Sequence, residues 1–160
     1  MQIEIKRLSD TAIIPSKAHS TDAAFDLYAD CPNAQFCLWN DDDDLMVDGI
    51  EILPNTTVVI NTGFAFAIPN HYFGGIYARS GLATKEGLRP ANCVGVVDSG
   101  YRGEIKVALH NDSNKTRVIH HGDRIAQLII QPYPDVELIE VESLSDTDRG
   151  IGGFGSTGTN

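Results

Sequence analysis

An all-β fold is what this sequence predicts, and three observations predict it. Apolar residues recur at every second position in several segments, turn-forming Gly, Pro, Asn and Asp separate those segments closely, and helical periods are almost absent. Ile3 and Ile5 alternate with Glu4 and Lys6, so the first strand presents one apolar face. Thr56 to Asn61 forms a β-rich run, and Phe64, Phe66 and Ile68 share a face just beyond it. The helical candidate is Leu82 to Glu86, closed by Gly87 in the manner of a C-terminal cap. Ile105, Val107 and Leu109 share another strand face, and Ile125 to Ile130 and Val136 to Val141 complete the β-rich runs. Short strands joined by such turns form a sandwich, jelly roll or barrel; the pattern fixes the class and leaves the topology open.

At 160 residues the chain is long enough for one hydrophobic core and short for two, so one domain is expected over residues 1–148. Two segments read as additions to it. Asp30 to Asp48 carries Trp39 and four consecutive aspartates, Asp41 to Asp44, without a clear period, as an exposed loop or hairpin would. Residues 149–160, RGIGGFGSTGTN, are too rich in glycine to pack by themselves and form an arm that something outside must order.

Composition excludes several classes. No apolar run reaches membrane-spanning length, and the opening MQIEIKRLSD lacks the hydrophobic stretch of a secretory signal. Cys31, Cys37 and Cys93 are odd in number and lack Cys-x-x-Cys spacing, which suggests neither a disulfide framework nor a zinc site and makes the cytoplasm the expected setting. A net charge of −10 disfavours nucleic acid as a partner. A small polyphosphate remains admissible if arginines gather locally and a divalent cation accompanies it.

Three regions carry chemistry suited to such a ligand. The glycine-rich tail offers backbone N–H groups, the Ser156 and Thr157 hydroxyls and the Arg149 fork, although a plain flexible terminus has the same composition. Its glycines satisfy G-x-G-x-x-G, but too few residues follow to form the helix a dinucleotide fold needs, and no lysine follows Gly158 as a Walker A loop requires. Arg79, Ser80 and Gly81 open the short helical turn and could hold an anion, or Ser80 could simply cap it. In NCVGVVDSGYRGEIK, residues 92–106, Asp98 stands at a turn after an apolar strand, placed either as a structural turn residue or as a base that takes a proton from water. Asp26, an acid inside the apolar AAFDLYA, either caps a turn or faces a metal-bound water. The four aspartates lack the glycine and terminal glutamate of a calcium loop, and adjacent His120 and His121 cannot chelate together from one strand.

Five segments in this order, STDAAFDLYA (20–29), ARSGLATKEG (78–87), NCVGVVDSGYRGEIK (92–106), GDRIAQLI (122–129) and RGIGGFGSTG (149–158), resemble the motifs of the trimeric dUTPase family, the deoxyuridine 5′-triphosphate nucleotidohydrolases, and the resemblance covers nearly the whole chain. It implies a jelly-roll-like β-barrel subunit in a homotrimer, with active sites shared between subunits and the C-terminal arm closing over a neighbour's site. It further implies Mg²⁺-assisted hydrolysis of dUTP to dUMP and pyrophosphate, which limits uracil incorporation into DNA and supplies dUMP for thymidylate synthesis.

By the same resemblance Asp98 matches the general base that activates water for attack on the α-phosphorus. Tyr101 matches the residue beneath the deoxyribose, and Asn92 with the backbone of Val96 and Val97 matches the uracil-reading hairpin; Lys106 stands at a further substrate contact. Arg79, Ser80 and Gly81 match the phosphate-binding turn, Gln127 the amide near the α-phosphate, and Asp26 the carboxylate that reaches Mg²⁺ through water. In the arm, Arg149 matches the γ-phosphate clamp, Phe154 the lid over uracil, and Gly155, Ser156 and Thr157 the terminal phosphate contacts.

The sequence departs from the family pattern in places. Ser99-Gly100 replaces the usual residues between the third-motif aspartate and tyrosine, and Ala24 stands where glycine is frequent. The segment Asp30 to Asp48 exceeds the usual connection and is a surface elaboration or a site for a protein partner. The nearest rivals are a dCTP deaminase, which would lack the closing arm and the uracil hairpin, and a noncatalytic or dual-role protein using the site as a switch.

Overall fold

Twelve strands and one helical turn make up the computed structural model, which describes residues 1–38, 45–92 and 94–153. The first four-stranded sheet is antiparallel and runs β1 (Glu4–Arg7), β6 (Thr57–Ala67), β10 (Glu104–Asn111), β8 (Leu88–Pro90). The second, also antiparallel, runs β2 (Phe25–Tyr28), β12 (Arg124–Pro132), β7 (Tyr72–Tyr77), β9 (Gly95–Val97). Two small ladders accompany them: β5 (Ile50–Ile52) with β11 (Arg117–Ile119), and β3 (Gln35–Leu38) with β4 (Leu45–Asp48). The jelly-roll-like expectation is met as layered sheets. Among the described residues both four-stranded sheets keep open edges, so no closed ladder forms.

The alternation in β10 does what the sequence promised. Ile105, Val107 and Leu109 are buried, and the residues between them are more exposed. They meet Leu27, Ile125 and Leu128 from the opposite sheet in one core that also holds Ile52, Ile60 and Phe64. Each such side chain, fully removed from water, contributes roughly 1.5–3 kcal/mol. Thr56 to Asn61 and Phe64 to Ile68 prove to be largely one strand, β6, whose second half is buried on both faces; Thr62 is accommodated there because its hydroxyl donates to the Ile105 carbonyl at 2.6 Å.

Asn111, completely buried at the end of β10, is a polar knot. Its amide donates to the carbonyls of Ile52 and Lys115 at 2.9 and 2.8 Å, and its side-chain oxygen accepts from the Ser113 amide and hydroxyl at 3.0 and 2.7 Å. Asn111→Ala removes the bonds to the Ile52 carbonyl and the Ser113 amide, while the Ser113 hydroxyl and the Lys115 carbonyl keep each other at 3.0 Å. A loss of about 2–4 kcal/mol in urea unfolding is expected, with an unchanged denaturant slope.

One expected strand does not form. Val136 to Val141 has no regular secondary structure and pairs with no strand among the described residues, and every residue from Pro132 to Ile151 is exposed. Leu138 is 93% accessible and Ile139 74%. Alternation marks a face that needs cover, and the described residues supply none. The Asp30 to Asp48 segment is in part a hairpin, β3 with β4, tied by Gln35 donating to Asp48 at 2.8 Å. Trp39 and Asp41 to Asp44 at its tip lie outside the described residues, as do Cys93 and residues 154–160.

Candidate active site

Three adjacent strands bring the first, second and fourth motifs together. Gln127 on β12 stands opposite Asp26 on β2 and opposite Tyr77 on β7, the strand that leads into Arg79. Arg79 Nε donates to Asp26 Oδ1 at 3.0 Å, and a terminal nitrogen of Arg124 donates to Oδ2 at 3.1 Å. One carboxylate thus bridges two guanidinium groups in charge-assisted bonds, which lowers the repulsion between them and lets them lie close. A second Arg79 nitrogen donates to the Arg124 carbonyl at 3.2 Å, and Gln127 Nε2 donates to the Ala78 carbonyl at 2.8 Å. Register shifts between Arg124 and Ala126, a bulge that re-aims the arginine.

Beyond Arg79 the chain makes the one helical turn found among the described residues. Ser80 and Gly81 are exposed at its start, and Leu82–Glu86 follow with the wider π geometry, the Gly87 N–H bonding to the Leu82 carbonyl. No side chain caps the turn, so the Ser80 hydroxyl is not spent as a cap. A cleft of about 420 Å³ opens beside it, lined by Arg79, Leu82, Glu86, Arg117, Asp123 and Arg124.

The third motif builds a separate pocket of about 250 Å³, lined by Ile76, Asn92, Val97, Asp98, Tyr101 and Lys106. Its architecture differs from the expected hairpin: β9 pairs with β7 and β10 with β6, so residues 98–103 cross from one sheet to the other. β9 ends its sheet, and among the described residues no strand covers its outer edge. The outward-facing main-chain groups of β9, which alternate along the strand with those turned toward β7, therefore border the pocket without a strand partner. Asp98 is exposed at the turn, its carbonyl accepting from the Tyr101 amide at 3.1 Å. The Tyr101 phenol donates to the Glu104 carbonyl at 3.0 Å, and its ring lies over Gly103, where a β-carbon would collide with it. Lys106 Nζ is 3.8 Å from Glu104, whose other oxygen accepts from the Gly63 amide at 2.8 Å.

Within one chain the two halves do not meet. Val97 pairs with Gly74 near the start of β7, whereas Arg79 lies two residues past its end at Tyr77. At ~3.3 Å per residue, about 10 Å of strand separates the Val97 level from Tyr77, with Asp98 one residue further off, before those two residues are added. Arg149 is exposed and bonds only locally, to the Gly152 carbonyl at 2.9 Å. Phe154, Gly155, Ser156 and Thr157 lie outside the described residues.

Two participants went unassigned in the sequence. Arg124 sits inside the fourth motif, where its place beside Gln127 was the available signal; Glu104, inside the third, had none beyond its neighbourhood. An arginine pair anchored on one acid, together with a small pocket at the open edge of β9, suits a small all-β protein that handles nucleotides.

Comparison with known proteins narrows this class. The family model described as dUTPase matches residues 44–158. The chain is 43% identical over 158 residues to the deoxyuridine 5′-triphosphate nucleotidohydrolase of Nautilia profundicola, covering 99% of each, and 43% identical over 162 residues to that of Mycobacterium leprae, covering 98% of this chain and 94% of the other. Two structures of the Staphylococcus bacteriophage 80alpha dUTPase with dUpNHpp superpose with a TM-score of 0.80 at 28% and 29% identity, covering 98% of both chains. The chain belongs to the dUTPase family of hydrolases.

Proposed function

We propose that this protein hydrolyses dUTP to dUMP and pyrophosphate. The observation that carries the reading is the pocket edged by β9 with Asp98 at its mouth, in a chain related end to end to named dUTP nucleotidohydrolases. In this reading the Val96 and Val97 backbone and Asn92 pair with uracil, and Tyr101 packs under the deoxyribose and excludes a 2′-hydroxyl. Asp98 accepts a proton from water as the water oxygen bonds to the α-phosphorus, and the bond to the β-bridging oxygen breaks to release pyrophosphate. Arg79, Ser80, Gly81 and Gln127 hold the phosphates, Lys106 adds a contact, and Arg149 with Phe154, Gly155, Ser156 and Thr157 closes over the nucleotide. Hydrolysis of this nucleotide limits uracil incorporation into DNA and yields dUMP for thymidylate synthesis, and the proposed setting is the cytoplasm.

Mg²⁺ belongs to the reading as an ion carried by the triphosphate. Both Asp26 oxygens are engaged by arginines, and the described residues hold no group of three potential metal ligands. That donor set fits an ion retained by phosphate and water, with Asp26 reaching it through a water molecule, and does not fit a protein cage. When bound, the ion neutralises charge on the triphosphate oxygens.

We further propose a homotrimer with shared sites, residues 1–148 forming the β domain and 149–160 the arm over a neighbour. The separation of Asp98 from Arg79 and the uncovered 132–151 segment support it. Subunits carrying Asp98→Asn, refolded together with subunits carrying Arg79→Ala, should regain activity, because every mixed trimer then contains a site with both residues intact. Mixtures as inactive as the parents would refute sharing of these two residues. The β3–β4 hairpin is the proposed place for any protein partner.

The test of the reaction is pyrophosphate release in Mg²⁺ from dUTP beside dTTP, dCTP and UTP, with ammonia assayed in parallel. Rapid release from dUTP alone is expected. Ammonia from dCTP would instead indicate a deaminase, and silence a noncatalytic role.

A further inference from the structure

The helical turn that follows Arg79 is poorly equipped to hold its own shape. Leu82–Glu86 has no buried residue and no side-chain cap, and a single turn is unstable by itself because too few hydrogen bonds offset the ordering of its backbone. Its order must come from tertiary contacts: Leu82 packs against the hydrophobic core, and the two ends are tied by polar links. At the leading end Arg79 is fixed by Asp26 and by the Arg124 carbonyl.

At the trailing end the links are of another kind. Gly87 takes a left-handed conformation, φ +68°, and lies so close to Ser113 that a β-carbon would sit 3.0 Å from the Ser113 β-carbon. The Asp112 amide donates to the Gly87 carbonyl at 2.8 Å. Glu86, the last residue of the turn, accepts a hydrogen bond from the Arg117 guanidinium at the start of β11. Arg117 Nε in turn donates to the Ser113 hydroxyl at 3.3 Å, and Ser113 belongs to the knot around buried Asn111. Arg117 is the more buried partner, 23% accessible against 45% for Glu86, and both line the cleft that contains Arg79.

We propose that Glu86 and Arg117 form a positioning clasp that ties the phosphate-binding turn to the rigid Asn111 knot and thereby sets how tightly the enzyme holds the distal phosphates of its nucleotide. The proposal rests on the reading of Arg79, Ser80 and Gly81 as that turn. The clasp residues are assigned a positioning role and no direct contact with the nucleotide. Their effect reaches it through the angle at which the Ser80 and Gly81 amides and the Arg79 guanidinium present themselves, and small misplacements of binding groups are costly.

The test is the dissociation constant of a non-hydrolysable imido analogue of dUTP and of dUMP, measured for the full-length wild type and for Arg117→Met, Glu86→Gln, the exchanged pair E86R/R117E, and Arg79→Ala, with thermal unfolding of each. Either single clasp variant is expected to weaken the analogue roughly tenfold and dUMP by less than about twofold, because dUMP lacks the distal phosphates. The exchanged pair should recover most of the loss. Equal weakening of both ligands, no weakening of either, or a well-folded exchanged pair that recovers nothing would overturn the clasp. Arg79→Ala separates the two layers: if it weakens the analogue while the clasp variants do not, the turn binds phosphate and the clasp alone is wrong. If Arg79→Ala has no effect either, the phosphate reading of the turn falls, and the clasp with it.

Discussion

Asp98→Asn should lower dUTP turnover by about 10²–10⁴-fold, the range in which a positioned base contributes to a hydrolytic step. The amide has nearly the shape of the carboxylate and cannot take the proton of the attacking water. Asp98 stands at the mouth of the pocket, and its main chain, not its side chain, makes the turn contact with Tyr101. The pocket should therefore survive the substitution. Binding of the imido analogue, followed by calorimetry, should change by less than about threefold, which would assign the loss to the transition state. Turnover near that of the wild type would remove Asp98 from the role of base.

Ending the chain after Asp148 should be the other severe change, lowering kcat/KM for dUTP by about 10²–10³-fold, as loss of preorganised phosphate donors does elsewhere. Stability should be almost untouched. Residues 149–153 make only local bonds, such as Arg149 to Gly152 and Gly150 to Thr147, and contribute nothing to the core. A truncated protein with the same unfolding temperature and normal turnover would make the arm a linker. Comparison with Arg149→Ala in the full chain would apportion the loss between the clamp and the lid.

The parts of this molecule that were legible in its sequence are those in which one local rule decides the outcome. β10 could be read because one of its faces is buried and the other is not, so the two-residue period survives. The turn at Leu82–Glu86 could be read from its closing glycine. The same rule misled at Val136 to Val141, where alternation was present but no strand among the described residues lies alongside. It also left the joining of sheets hidden: nothing in the 92–106 segment says that β9 and β10 pair with different neighbours. Asp26 could be singled out as an acid in an apolar run. Its two arginines could not, since Arg79 is 53 positions away and Arg124 is 98, and no local pattern encodes a meeting at such distance. Arg117 was invisible for the same reason, its partner Glu86 lying 31 positions earlier.

The uncovered segment beyond Pro132 bears on how a newly made chain survives in water. Short, β-prone apolar windows left exposed are the material from which cross-β aggregates grow. In VELIEV, residues 136–141, the longest apolar stretch is the pair Leu138-Ile139, with Glu137 before it and Glu140 after it. Stacking identical copies in register would pile these carboxylates on one another at ~4.8 Å, and that repulsion opposes self-templating. The two glutamates stand where gatekeepers stand, and Glu137→Val with Glu140→Val is expected to speed fibril formation, read as thioflavin T fluorescence against the wild type.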